Sequence, residues 1–168
     1  MSPFFTVVIP TYNCADYLER ALNSVFSQTY QDFEIIVVDN SSTDHTKDVL
    51  SSFNNERLIV IKVKNNGIIA HSRNKGIENA KGDWIAFLDS DDIWKPEKLE
   101  KVKESINKNT EAVLICHDED YIENSKIKKR LRYGPAVKNL YQKLLFNGNC
   151  VSTSATCLRK DIAIETGG

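Results

Sequence analysis

Neither of the glycine-rich signatures that cradle nucleotide phosphates occurs in this chain. A dinucleotide-binding fold needs Gly-x-Gly-x-x-Gly after its first strand, and a P-loop needs Gly-x-x-x-x-Gly-Lys-Ser/Thr. The first candidate loop reads Pro10-Thr-Tyr-Asn-Cys14 and holds no glycine, so a phosphate bound here must be neutralised by other groups. An excess of one charge is missing too. The 22 Lys and Arg against 23 Asp and Glu leave a net charge of -1, which supplies no basic field for nucleic acid and no acidic tail. The four cysteines, Cys14, Cys116, Cys150 and Cys157, form no Cys-x-x-Cys pair and follow no secretory signal. They read as free thiols of a reducing, cytoplasmic compartment rather than as disulfides or zinc ligands. No apolar run approaches the ~20 residues that span a bilayer, so no transmembrane segment is expected. Repeats, linkers and low-complexity segments are absent as well, and 168 residues suit one domain with a real core.

What is present centres on Trp84-Ile-Ala-Phe-Leu-Asp-Ser-Asp-Asp-Ile-Trp94. Trp84 to Leu88 lack polar alternation and read as a parallel strand buried on both faces. Asp89, Asp91 and Asp92 follow at once, where that strand surfaces. Carboxylates this close raise one another's pKa values, and a hard divalent cation makes the crowding favourable; oxygen ligands suit Mg2+ or Mn2+ better than zinc. The bland alternative is a solvated acidic loop that caps the next helix.

In chain order, Phe5 to Ile9 form a β-branched strand, stopped by Pro10, and the polar loop Thr11-Tyr12-Asn13 follows. Asn13 is expected to cap a helix that turns Tyr17, Leu18, Ala21, Leu22, Val25 and Phe26 inward. Glu34 to Val38 is a second buried strand ending in Asp39. Ser42 or Thr43 is then expected to cap a helix with Val49, Leu50 and Phe53 inward. A third strand, Leu58 to Val63, runs into Asn65-Asn-Gly67, which favours positive φ at Gly67. In the next helix Ile69, Ala70, Ile77 and Ala80 would form the inward stripe. Arg73 falls beside that stripe, a costly placement unless an anion or an aspartate meets it. After the acidic stretch, Pro96 starts a helix with Leu99, Val102 and Ile106 inward, and Ala112 to Cys116 is a fifth strand. Further on the pattern weakens. The basic run from Lys126 to Arg132 reads as a solvated hairpin, Val137 to Phe146 as a short helix, and His117 as a structural or exposed histidine.

Alternating strands and helices over residues 5–116 give βαβ units. The fold class is α/β, a mainly parallel sheet with helices on both faces. Every strand's C-terminal end then meets one edge, which collects Thr11-Tyr12-Asn13, Asp39, Asn65-Asn66 and Asp89, Asp91 and Asp92. Open α/β sheets bind ligands there. A metal on Asp91 or Asp92, together with Arg73, could neutralise a diphosphate, and Asp39 suits a nucleobase N–H or a ribose hydroxyl.

These residues carry a resemblance. Val7-Val-Ile-Pro-Thr-Tyr-Asn13, Val37-Val-Asp-Asn-Ser-Ser-Thr-Asp44, Asn66-Gly67 with Arg73-Asn74-x-Gly76, and Gly82-Asp-Trp-Ile-Ala-Phe-Leu-Asp-Ser-Asp-Asp92 resemble, in order, the family 2 glycosyltransferases of GT-A fold. The resemblance implies inverting transfer of a sugar from a nucleotide diphosphate, usually UDP, to an acceptor hydroxyl on a glycan or lipid-linked glycan. Cell-surface polysaccharide synthesis at the inner face of the membrane fits such an activity. It implies a nucleotide site built from Pro10, Thr11, Tyr12, Asp39, Asn66, Arg73, Asp89 and Ser90. Within that site Thr11 and Asp39 hold the base, Asp89 or Ser90 the ribose side, and Asp91, with Asp92 as a further candidate, a Mn2+ or Mg2+ ion.

By the same resemblance, residues 1–116 form the nucleotide-sugar-binding half of a single domain, and 117–168 begin the acceptor side. Ser152 to Lys160 and Thr166-Gly-Gly168 are similar to the family's acceptor-side strand and the glycine pair after it. The family's catalytic base lies further on in a Glu-Asp motif. The chain therefore reads as an N-terminal portion that binds donor without completing transfer. Among rival readings, a nucleotidyltransferase should show a Gly-rich, Lys/Arg-containing loop after its first strand. A haloacid-dehalogenase-like phosphatase should carry its Asp-x-Asp after the first strand, not the fourth. A non-catalytic sugar-nucleotide-binding module would keep every donor-side residue.

Overall fold

The computed structural model describes residues 2–134, 139, 142, 146 and 151–167. Of the helix expected over Val137 to Phe146, all but residues 139, 142 and 146 lie outside the described residues, as does Cys150. Strands β1 (Phe5–Thr11), β2 (Phe33–Asp39), β3 (Leu58–Lys62) and β4 (Trp84–Phe87) alternate with helices α1 (Ala15–Phe26), α2 (Thr46–Ser52), α3 (Ile69–Asn79) and α4 (Lys98–Lys108). Then come β5 (Leu114–Cys116), a hairpin of β6 (Glu119–Glu123) and β7 (Lys126–Leu131), β8 (Thr156–Arg159) and α5 (Lys160–Glu165).

The main sheet has six strands in the order β3-β2-β1-β4-β8-β5. β1 pairs in parallel with β2 and with β4, and β2 with β3, so all four point one way. β8 lies antiparallel between β4 and β5. β5 thus runs in the direction expected of a fifth parallel strand, but its neighbour is a strand contributed some 40 residues later in the chain. Because β8 is reversed, its N-terminal end reaches the edge where β1 to β4 finish.

β1 and β2 are buried at every position, and alternate residues feed two separate cores. Phe5, Val7, Ile9, Ile35 and Val37 meet Leu18, Leu22, Leu50, Leu99 and Val102 of α1, α2 and α4 on one face. Val8, Ile36, Val38, Ile85 and Phe87 meet Ile77, Ala80 and Ala163, of α3, the turn after it and α5, on the other. A strand without polar alternation needs cover on both sides, and this is the arrangement that supplies it.

Several local expectations are corrected. Asn13 does not cap α1, which begins at Ala15 without a side-chain cap; Asn13 adopts φ 47° and serves the neighbouring loop. Ser42 and Thr43 do not cap α2, which begins at Thr46; instead Asp44 Oδ1 accepts the Thr46 N–H at 3.1 Å. In α3 the inward face is Ser72, Gly76 and Ile77, whereas Ile69 and Ala70 are exposed. Tyr17 is exposed as well, since the covering face of α1 is narrower than its apolar set. The basic run is the hairpin expected of it. Its turn, Asn124-Ser125, takes two positive φ angles, and Asp120 pairs with Arg130 at 2.7 Å and with Lys95 at 2.8 Å. Those hydrogen bonds, Arg130's first, hold the Asp120 carboxyl down at about 2. His117 is half-buried, its Nδ1 lies 2.9 Å from the Asp118 carbonyl, and burial lowers its pKa.

Lys98 was not anticipated as a core residue. It is buried, with Nζ 3.3 Å from the centre of the Trp94 ring and Cys157 close by. Burial pushes its ammonium down from 10.5 to about 8, opposed by Cys157 and Glu119. Below about pH 8 both folded and unfolded chains carry this charge, and the folded chain bears the cost of burying it. Between about 8 and 10.5 only the unfolded chain stays protonated, so this group's contribution to stability rises with pH. Lys98→Met should therefore be more stable than the wild type at pH 7, by on the order of 1–3 kcal/mol. The gap should narrow by pH 10.5; denaturant unfolding of both proteins at the two pH values checks this, and a constant gap would contradict it.

Candidate functional site

At the C-terminal edge of the parallel strands, three loops are stitched together by short polar side chains. Asn13 Oδ1 accepts the Thr43 N–H at 2.7 Å, the Asn13 N–H donates to Ser42 Oγ at 3.0 Å, and Asp44 Oδ2 accepts the Ala15 N–H at 3.1 Å. These bonds tie the loop after β1 to the loop after β2. Asn40 Oδ1 accepts the Asn65 N–H at 2.7 Å, and Ser41 Oγ donates to the Val63 carbonyl at 2.7 Å, so the loop after β3 joins them. Asn65 then closes on itself, accepting the Gly67 N–H at 2.9 Å and donating to Ser72 Oγ on α3 at 2.8 Å. Asn66 and Gly67 both take positive φ, 53° and 83°, which asparagine and glycine tolerate best.

The acidic loop completes the edge. The Leu88 N–H bonds to the Val8 carbonyl at 3.1 Å, and the Asp92 N–H returns to the Asp89 carbonyl at 3.1 Å, closing a tight turn. Arg73 donates to Asp89 Oδ1 at 2.7 Å, which supplies the anion that a guanidinium beside an apolar face requires. Its Nε is buried without a hydrogen-bond partner among the described residues, as is Thr11 Oγ1. Asp92 sits beside Asp91, Glu119 and Asp89. Partial burial and these three like charges raise its carboxyl, while the Ser154 hydroxyl works the other way.

Between the loops lies a cavity of about 420 Å³. Of the residues expected at a site, Pro10, Thr11, Tyr12, Asp89, Ser90 and Asp91 line it. Asp39 is buried at the end of β2, next to the lining residue Asn40; its Oδ1 accepts from Ser42 N at 2.9 Å and from Ser42 Oγ at 2.6 Å. Arg73 reaches the cavity through its pair with Asp89, and Asn66 and Asp92 stand outside the lining. Asn65, expected on this edge, lines it as well, and Cys14, Asn40, Gly67, Ile69 and Ser72 line it without being singled out as site residues. A serine on the inward face of α3 was the one legible signal for Ser72. The others depend on how the loops fold over. Among the described residues no three metal-ligating side chains converge on one point. One or two carboxylates, Asp91 at the cavity and Asp92 beside it, fit a hard ion that completes its shell with water and ligand oxygens, and the like-charge crowding at Asp92 is what such an ion would relieve.

The sequence model of the family described as Glycosyl transferase family 2 matches residues 6–167. An uncharacterized glycosyltransferase of Nostoc sp. is 36% identical over 165 residues, 94% of this chain and 51% of that protein. The UDP-Glc:alpha-D-GlcNAc-diphosphoundecaprenol beta-1,3-glucosyltransferase WfaP of Escherichia coli is 39% identical over 118 residues, 70% of this chain and 46% of that protein. Among solved structures, residues 1–349 of S. aureus TarS superpose with a TM-score of 0.79 at 25% identity, over 99% of this chain and 49% of that one. TarS has also been solved in complex with UDP. The match thus spans about half the length of each of these two relatives.

Asp39 has a structural duty in addition to any ligand it meets. Asp39→Ala should lower stability by ~1–3 kcal/mol, because it leaves the partly buried Ser42 N–H without its acceptor. Asp39→Asn, which keeps an acceptor oxygen, should lose less. Equal losses in denaturant unfolding would show that Ser42 does not depend on the carboxylate.

Proposed function

This chain belongs to glycosyl transferase family 2 and has the GT-A fold, and from that membership we propose that it forms the donor side of an enzyme moving a sugar from a nucleotide diphosphate, UDP, to an acceptor hydroxyl with inversion. The observation that carries the proposal is the convergence on one cavity of the Thr11 loop, the Asp39–Asn40 loop, the Arg73–Asp89 pair and Asp91. UDP as the nucleotide is supported by the donor named for WfaP and by the UDP complex of TarS. The acceptor is a glycan or a lipid-linked glycan of the cell surface, the second being the class named for WfaP. Among the described residues no helix is long and apolar enough to cross a membrane; work on a lipid-linked acceptor would bring the protein to the inner membrane face from the cytoplasmic side. Residues 1–116 are the nucleotide-sugar half, and 117–168 open the acceptor side.

The chemistry follows from the edge. Thr11, whose hydroxyl is buried and has no partner among the described residues, and Asp39 receive the base, with Pro10, Tyr12 and the Asn65–Gly67 turn closing around it. Asp89 and Ser90 receive the ribose side. Arg73 fixes Asp89 in place, and its spare N–H groups add positive charge behind the diphosphate. Asp91, helped by Asp92, would hold a Mg2+ or Mn2+ ion, which when bound neutralises charge on the leaving diphosphate. Attack at the anomeric carbon comes from the opposite face, and the acceptor hydroxyl must lose its proton to a carboxylate there, a contribution of ~10²–10⁴-fold.

Calorimetric titration with UDP, with Mn2+ or with EDTA, tests the assignment. Asp91→Asn should remove most of the metal-dependent affinity while leaving the fold intact or slightly more stable, since it relieves repulsion at Asp92. Wild-type affinity that is equal with Mn2+ and EDTA would rule the metal role out.

Asp39→Asn should weaken UDP binding by ~1–3 kcal/mol in both conditions, with the metal-dependent increment little changed. If it abolished the metal dependence and spared metal-free binding, the division of labour between the ends of β2 and β4 would be wrong.

A further inference from the structure

The turn that leads into β8 touches the acidic loop at one point. Thr156 braces the turn, its N–H on the Thr153 carbonyl at 2.9 Å and its Oγ1 on the Ser152 carbonyl at 2.7 Å. Trp94 then pins it from the far side, with Nε1 donating to the Ser154 carbonyl at 3.1 Å. Ser154 is 3% exposed, and its position follows from the reversal of β8, which carries the start of that strand to the edge where β4 ends.

The Leu88 N–H faces β1, so the next amide, that of Asp89, faces β8, whose ladder with β4 has already ended at Ala86 and Cys157. Ser154 Oγ accepts it at 3.0 Å. A hydroxyl that accepts one hydrogen bond keeps its own proton to offer, and the Ser154 hydroxyl opposes the rise that burial and like charges impose on the Asp92 carboxyl. One side chain therefore holds the backbone of the first carboxylate residue of the acidic turn and acts electrostatically on the carboxylate of its last.

We infer that Ser154 is a positioning residue for metal and diphosphate, holding the Asp89–Asp92 turn in the shape that presents Asp91 to the cavity; this rests on the donor-site reading above. Ser154 does not line the cavity itself. It acts through the carboxylates, as outer partners of metal ligands do, and loss of such a partner lowers metal affinity by roughly 10–100-fold. A serine that merely satisfied a stray amide would affect stability and leave the metal increment alone.

UDP titrations in Mn2+ and in EDTA separate these cases, run on the whole chain as wild type, Ser154→Ala, Ser154→Thr and Ser154→Val. Ser154→Ala should lose roughly 10–100-fold of the affinity that Mn2+ adds, with metal-free affinity changed far less. Thr and Val have the same shape, so that pair isolates the hydroxyl even where alanine leaves the fold unstable: Thr should retain the Mn2+ increment and Val should lose it. Equal increments in Thr and Val, or losses of the same size in Mn2+ and EDTA, would overturn the inference. A wild type with no Mn2+ increment would instead overturn the metal-assisted reading itself and this inference with it, a result distinguishable because it involves no variant. Mn2+ binding followed by electron paramagnetic resonance supplies a second readout, in which Ser154→Val should leave more free ion than Ser154→Thr.

Discussion

The parallel pairing of β1 with β2 on one side and β4 on the other governs everything at the ligand edge. It sets Thr11 opposite Asp39 and brings the end of β4 alongside Val8, so that residues scattered over the first 92 positions meet around one opening. The register is anchored at the opposite end of the sheet. Glu34 Oε1, buried, accepts the Thr6 hydroxyl at 2.8 Å and the Lys81 N–H at 2.6 Å, and Thr6 Oγ1 accepts the Gly82 N–H at 2.9 Å. A Cβ at Gly82 would stand 2.6 Å from the backbone of Phe5 and Thr6, so the chain can enter β4 this close to β1 only as glycine. A buried carboxylate left without those donors would be costly, which makes slippage of β4 against β1 expensive.

Electrostatics at the edge are divided rather than pooled. Asp89 is neutralised by Arg73, and Asp92 is the carboxylate left crowded by Asp91, Glu119 and Asp89. Asp91 stands between them at the cavity. Glu119 is itself held by Ser152 Oγ at 2.8 Å and Tyr133 Oη at 3.1 Å, so residues that follow β5 contribute to the potential around the carboxylates of the acidic turn. Far from the cavity, Asp120 with Lys95 and Arg130 forms an ion triad that braces the base of the exposed hairpin.

Much of this was legible because its physical cause is local. A short, β-branched apolar run without alternation reads as a buried strand, and that reading held for β2 and β4. The acidic turn surfaced where the apolar run ended, and Asn-Asn-Gly turned with the positive φ its glycine allows. The local misreadings share a cause. Asn13, Ser42 and Thr43 are good helix caps in isolation, yet each found a better partner in a neighbouring loop brought close by the parallel sheet. Ile69 and Ala70 had helical spacing but fell beyond the end of the sheet, where no strand remained to cover them.

By itself, then, the sequence determined the α/β class, the order of its first four strands and helices, and the edge on which the carboxylates appear, since hydrophobic period and turn chemistry act over a few residues. Only the tertiary structure decided that β8 runs backwards between β4 and β5, that Arg73 pairs with Asp89 rather than with another aspartate, that Lys98 is buried against Trp94, and that Ser154 holds the acidic turn. These contacts join residues 16 to 75 positions apart, apart from the Lys98–Trp94 stack, and even that stack depends on the sheet that buries it. Their partners are selected by packing and by the need to satisfy buried polar groups, and no short-range pattern encodes either.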